Sequence, residues 1–357
     1  MSIDRLARRE IQALKPYQAA IQVSDTIRMN ANEAPWTSSG NEFRRPLNRY
    51  PEIRPQRLRK ALAGFYKCSP DRLLVTRGTS EAIDLLVRIF CRAGVDNIVT
   101  TAPTFSMYRH YADVQGAATR EIETSGHNGF AVDVDALLDA CDSETRLIFI
   151  CSPNNPTGNL IPRDALVTLL ERRGDNSAIV VDEAYIEFAA QSSAVELLEK
   201  HDNLIVLRTL SKALAYAGAR CGSVMAPPAV IDMLDAVQAP YALATPVVEC
   251  VEDALQADSL REAEQWVAKI VVERERLIAA LKRFPSVRRV WPSAANFFLV
   301  EVDEAEALLR QCKANKILLR HFGGALPDCV RISVGTPSQN DLLLKSFAAL
   351  HGDRDGR

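Results

Sequence analysis

No stretch of this 357-residue chain approaches the roughly 18 consecutive apolar residues of a membrane-spanning helix. Nor is there an excess of charge of one sign. The 43 Lys and Arg against 45 Asp and Glu leave a formal net charge of -2, which gives no electrostatic case for nucleic acid or for an anionic membrane surface. Histidine is scarce, at five residues, and the eight cysteines (68, 91, 141, 151, 221, 250, 312, 329) form no CxxC pair and no ligand-like cluster with them. They read as reduced thiols and give no basis for a metal site. The opening MSIDRLARREIQALK is charged throughout and lacks the apolar segment of a signal peptide, so the expected location is the cytoplasm. Two nucleotide signatures are also missing. The turn after the first strand-like run is RGTSEA, with one glycine where GxGxxG would have three, and no GxxxxGK followed by Ser or Thr occurs. The roughly 45 residues ahead of the regular pattern are too few, and not basic enough, for a separate DNA-binding domain.

What is present is an alternation. Short apolar or β-branched runs, RLLVT (72–76), NIVTT (97–101), ATREI (118–122), TRLIFIC (145–151), AIVVD (178–182), NLIVLR (203–208) and GSVMA (222–226), are separated in several places by amphipathic helical segments. That grammar predicts an α/β fold with a mostly parallel sheet. After Tyr241 the pattern becomes a long charged helical region to about Phe284, then the strand-like NFFLVEV and CVRISV, which predicts a smaller α+β domain. The expected division is a large domain over 46–240, with 1–45 and 241–357 as an N-terminal arm and the small domain.

In an open α/β sheet, ligands gather at the carboxyl ends of the strands. The first run is followed by Arg77-Gly78-Thr79-Ser80, a glycine turn opening a helix whose first N–H groups and hydroxyls suit a phosphate. Phe105 follows the second, Asn155 in SPNNPTG the fourth, Asp182 and Tyr185 the fifth, and Thr209, Ser211 and Lys212 the sixth. Among ten lysines, Lys212 follows the apolar run LIVL and has no charged residue within three positions on either side. An amine, a carboxylate with a phenol, an amide, an aromatic ring and a phosphate cradle are together what pyridoxal phosphate requires. The amine bonds its aldehyde carbon, and the acid keeps its ring nitrogen protonated so that the ring accepts electrons.

The blocks SPNNPTG, VVDEAY and TLSKALAYAGARCG resemble the signatures of fold-type I pyridoxal-phosphate aminotransferases, with Asn155 and Asp182 27 residues apart and Asp182 and Lys212 30 apart. Together with LARREIQALKPYQ, MNANEAPW, LNRYPE, TRGTSEAIDLLVRIFCRAG, PTFSMYR, LLRHF and RISVGTP, the resemblance is to the histidinol-phosphate branch of that family and covers nearly the whole chain. It implies a seven-stranded, mostly parallel mixed sheet between helices and a smaller α+β domain. It implies Lys212 as the bonding amine and proton carrier, Asp182 at the ring nitrogen, and Tyr185 and Asn155 at the phenolic oxygen. Thr79, Ser80, Thr209, Ser211 and Arg220 would hold the phosphate, helped by Tyr50 from the second subunit of a homodimer, with Phe105 stacking on the ring. Arg331 would take a substrate carboxylate, and Arg320 and Tyr17 would join it around a substrate phosphate. The implied reaction is transamination between histidinol phosphate and 2-oxoglutarate in histidine biosynthesis. An aromatic aminotransferase or a threonine-phosphate decarboxylase of the same family is the alternative. Three positions depart from the family pattern: Phe105, where many relatives have Tyr, Ser80, where many have an acid, and Tyr216, bulkier than expected.

Overall fold

The computed structural model describes residues 3–18, 20, 22, 26–37 and 43–352; the rest of the expected N-terminal arm lies outside the described residues. A central sheet is built from β1 (Leu73–Thr76), β2 (Asn97–Ala102), β3 (Ala118–Glu123), β4 (Thr145–Cys151), β5 (Ala178–Asp182), β6 (Leu204–Thr209) and β7 (Gly222–Met225), in the spatial order β1-β7-β6-β5-β4-β2-β3. Only β7 runs against its neighbours. The fold is therefore the mostly parallel α/β sheet expected from the alternation, in the mixed, seven-stranded form that the resemblance implies.

The runs LIFI in β4 and AIVV in β5 are apolar without interruption because helices cover both faces of the sheet. Alternate residues enter opposite cores: Ile148, Ile179, Val181 and Val206 on one face, and Leu147, Phe149, Val180 and Ile205 on the other. Each such fully buried side chain contributes roughly 1.5–3 kcal/mol of burial free energy. Ile3 and Ala7, near the start of the chain, also pack into the second of these cores.

A second sheet, antiparallel throughout, comprises β8 (Val287–Val290), β9 (Phe297–Val302), β10 (Arg320–His321) and β11 (Cys329–Ser333), in the order β10-β11-β9-β8. The long charged region after Tyr241 forms two helices, Thr245–Ala254 and Ala257–Leu281. The second of these joins the two sheets' cores. Leu260, Ala263 and Val267 lean on the larger core, while Leu277, Ile278 and Leu281 are buried in the smaller.

Two features set the geometry of the strand ends. Gly78 has φ +78°, a backbone state that only glycine adopts without strain, and it caps the helix Thr79–Phe90. A Cβ on Gly222, at the start of β7, would stand 2.7 Å from the Gly78 carbonyl carbon and 2.9 Å from the Thr79 nitrogen. The turn and the reversed strand thus touch backbone to backbone. In addition, β6 and β7 pair as a hairpin, with Thr209 opposite Gly222, so the whole stretch from Leu210 to Cys221 is a loop closed at its base.

Candidate active site

The strand ends enclose a cavity of about 150 Å³. Ten of the residues singled out in the sequence line it: Thr79, Ser80, Phe105, Asn155, Asp182, Tyr185, Thr209, Ser211, Lys212 and Arg220. Cys151, Ala184 and Ala217 complete the wall.

Asp182 ends β5 and is only 2% exposed. Its Oδ1 accepts from the Ala184 backbone N–H at 3.2 Å, and its Oδ2 accepts from the Tyr108 hydroxyl at 3.0 Å. Burial raises its pKa from 3.8 to about 6, against the opposing pull of these donors and of Lys212. The next residue, Glu183, turns to the other side and pairs with Arg208 at 3.5 Å. Pleating thus sends one acid of the DEAY motif to the cavity and the other to the interior.

Lys212 lies in the hairpin loop with its Nζ 5.5 Å from the centre of the Tyr185 ring. Burial lowers its pKa, and the positive charges of Arg331 and Arg220 lower it further, while Asp182 acts in the opposite sense. Burial also raises the Tyr185 phenol, keeping it a hydrogen-bond donor. That ring stands edge-on to Phe297 of β9, with centroids 5.0 Å apart, so it is braced by the second sheet.

At the other end, Thr209 Oγ1 donates to Ser211 Oγ at 2.9 Å and Arg220 Nη1 donates to the Ala217 carbonyl at 3.2 Å. A Cβ on Gly78 would meet Arg220 Nη2 at 2.7 Å, so the bare glycine lets the guanidinium lie against the start of the helix Thr79–Phe90. Hydroxyls, a guanidinium and unpaired helix N–H groups converge there, which is an anion site.

Arg331, on β11, is outside the cavity wall but joined to it: its Nη1 donates to Asn155 Oδ1. Its guanidinium lies over Phe297 and Phe322, at 5.2 and 5.7 Å, and its buried Nε has no hydrogen-bond partner. Arg320 is its register partner on β10. Two guanidiniums side by side, one lowered in pKa by burial and by the other's charge, make a second place for an anion. The donor set fits pyridoxal phosphate at every point the residues can test. There is an acid for a cationic ring nitrogen, an amine held towards its neutral form, and an anion cradle that a Cβ at 78 would fill.

Tyr50 and Tyr17 do not line this chain's cavity. Tyr50 is half exposed and stacks on Tyr241 with centroids 4.6 Å apart, and Tyr17 is 60% exposed. Tyr216 also points elsewhere. Its side chain packs against the larger core, within electrostatic reach of Cys250 and Asp253, so its bulk fills space behind the loop rather than narrowing the cavity. Tyr108, buried against Asp182, joins the site although no strand-end motif marks it.

The aminotransferase class I and II family model matches residues 22–347. The chain belongs to the aminotransferase class I and II family. A histidinol-phosphate aminotransferase of Xylella fastidiosa is 43% identical over 345 residues, covering 95% of this chain and 94% of its own length. Among solved structures, a histidinol-phosphate aminotransferase from Sinorhizobium meliloti in complex with pyridoxal-5'-phosphate superposes with a TM-score of 0.77 at 24% identity, covering 85% and 84% of the two chains. An L-threonine-O-3-phosphate decarboxylase from Porphyromonas gingivalis reaches 0.72 at 23%, covering 85% and 91%. At these identities the solved structures speak to the fold, that of the pyridoxal-phosphate aminotransferases.

Proposed function

We propose that this aminotransferase exchanges an amino group between L-histidinol phosphate and 2-oxoglutarate, giving imidazole acetol phosphate and L-glutamate, as a step of histidine biosynthesis. Pyridoxal phosphate is its cofactor. The observation that carries this reading is the setting of Arg331: half-buried, tied to Asn155 on the cavity wall, with Arg320 beside it and one donor unspent. Histidinol phosphate has no carboxylate on its amine-bearing carbon, whereas glutamate has one there and a second on its side chain, so the same pocket must take a phosphate or a carboxylate. A planar guanidinium fork accepts both. The high identity to histidinol-phosphate aminotransferases over nearly the full length supports the same substrate pair.

When bound, pyridoxal phosphate supplies an electron sink for the pair left at the substrate's Cα. Lys212 Nζ, kept towards its neutral form, is the amine that would hold the cofactor and would carry a proton to and from that carbon. Asp182 holds a proton at the ring nitrogen. Tyr185 and Asn155 would hold the phenolic oxygen, and Phe105 would lie against the ring. Thr79, Ser80, Thr209, Ser211 and Arg220 hold the phosphate, while Arg331, Arg320 and Tyr17 orient the substrate. The enzyme works as a homodimer in the cytoplasm, with Tyr50 serving the neighbouring site. Its exposed position, stacked on Tyr241 outside its own cavity, supports that role. The large cofactor-binding unit spans 46–240, with 1–45 and 241–357 as arm and small domain. Among the described residues no helix is long and apolar enough to cross a membrane.

The test is a substrate panel coupled to 2-oxoglutarate consumption. Histidinol phosphate ranks above phenylalanine, tyrosine and aspartate, and threonine phosphate releases no carbon dioxide. A clear lead for phenylalanine, or decarboxylation of threonine phosphate, would overturn the substrate assignment.

A further inference from the structure

We propose that Tyr108 is a positioning residue that fixes Asp182 and Phe105 as one unit, so that the acid facing the cofactor's ring nitrogen and the aromatic ring beside it are set by a single side chain. The inference rests on the pyridoxal-phosphate reading above and adds a residue that reading does not use. Tyr108 lies in the first turn of the helix Met107–Gln115 and is fully buried. Its ring stacks on Phe149 of β4, with centroids 4.8 Å apart and planes at 12°, and meets Phe105 edge-on at 5.7 Å and 84°. Held from two sides, the ring delivers its hydroxyl to Asp182 Oδ2 at 3.0 Å.

Without that bond, the Asp182 carboxylate would have one protein donor, the Ala184 N–H on Oδ1, and could rotate about its last torsion. With it, each oxygen has one donor and the carboxylate plane is set. The remaining lone pairs are left for a ligand. The other ionisable groups near the carboxylate are Cys151, Tyr185 and Lys212, and none of them donates to it. Burial drives the Tyr108 phenol well above its ordinary range, so it stays a donor while the carboxylate titrates.

The experiment measures the pyridoxal-phosphate dissociation constant of the full-length protein by fluorescence quenching for wild type, Tyr108→Phe, Asp182→Asn and the double variant. Circular dichroism and thermal unfolding check that each is folded. Losing a hydrogen bond to a charged group is expected to weaken binding about tenfold in Tyr108→Phe. In the Asp182→Asn background the same change has no further effect, because Tyr108 acts through that carboxylate. The pH midpoint of the bound cofactor's visible band also shifts in Tyr108→Phe, which loss of packing alone would not produce. If Tyr108→Phe does not fold, 3,5-difluorotyrosine at 108 keeps the shape and offers a stronger donor, and binding is then as tight as wild type or tighter. Binding within twofold of wild type for Tyr108→Phe, a full tenfold loss added to Asp182→Asn, or weaker binding on fluorination would overturn the proposal. A wild type that does not bind the cofactor overturns the functional reading along with it, whereas tight binding that ignores Tyr108 overturns this inference alone.

Discussion

At the inner end of the cavity, Asp182 is almost wholly enclosed and takes donors from two different elements, while Lys212 is held away from its ordinary charge. At the outer end, Arg220 is exposed, its guanidinium resting on a glycine turn and donating to a backbone carbonyl of its own loop. The inner end is fixed by core packing whether or not a ligand is there. The outer end combines the last residue of β6, loop residues and a helix terminus, and its guanidinium is open to solvent. The acid sits at the end of a strand, and an anion arriving from solvent is met by donors at a strand end, on a loop and at a helix terminus.

The sharpest way to break the comparison is at the amine. Lys212→Ala is expected to lower transamination on the order of 10⁴-fold and to abolish the yellow absorption that wild type gains on adding the cofactor, read in a coupled assay and by visible spectroscopy. Next is the outer end. Arg220→Ala should weaken cofactor retention about 10- to 100-fold by equilibrium dialysis, with little change in the unfolding temperature of the cofactor-free protein, since the side chain is exposed.

The inner end gives a third effect, in stability. An acid whose folded pKa is raised binds more protons folded than unfolded between its two pKa values. Stability therefore falls as pH rises from about 4 to about 6, and the penalty is complete above that window. Asp182→Asn removes it. In the cofactor-free state, the variant gains on wild type across that window by up to about 3 kcal/mol, less what the amide forfeits in hydrogen bonds, as measured by urea unfolding at a series of pH values. The smallest effect belongs to Tyr50. Tyr50→Phe should cost about three- to tenfold in cofactor affinity while gel filtration still shows a dimer; unchanged affinity would confine Tyr50 to its stack on Tyr241.

The sheet was legible because β4 and β5 are apolar runs bounded by turns, and because helices separate the parallel strands in the expected rhythm. The charged VRRV of β8 and the two-residue β10 were not, since neither carries a period of its own and both exist only through pairing with β9 and β11. Lys212, Asp182, Tyr185 and Asn155 could be brought to one cavity from the sequence because strand ends leave local motifs. Tyr108 sits inside one of the quoted motifs, PTFSMYR, yet its partner lies 74 residues away, and a bond between distant elements leaves no trace in either local pattern. Tyr216 was a puzzle for the same reason: what it packs against, near Cys250 and Asp253, comes from another part of the chain.

The loop from Leu210 to Cys221 is closed at its base by the β6–β7 hairpin, and that closure makes Lys212 a tethered reagent. Folding has already confined the amine to a small volume, so its local concentration beside Asp182 does not depend on the total concentration of anything. A chain cut between Ala217 and Gly218 would leave every wall residue in the protein and keep both strands. It would nonetheless turn the tethered amine into one on a loose end.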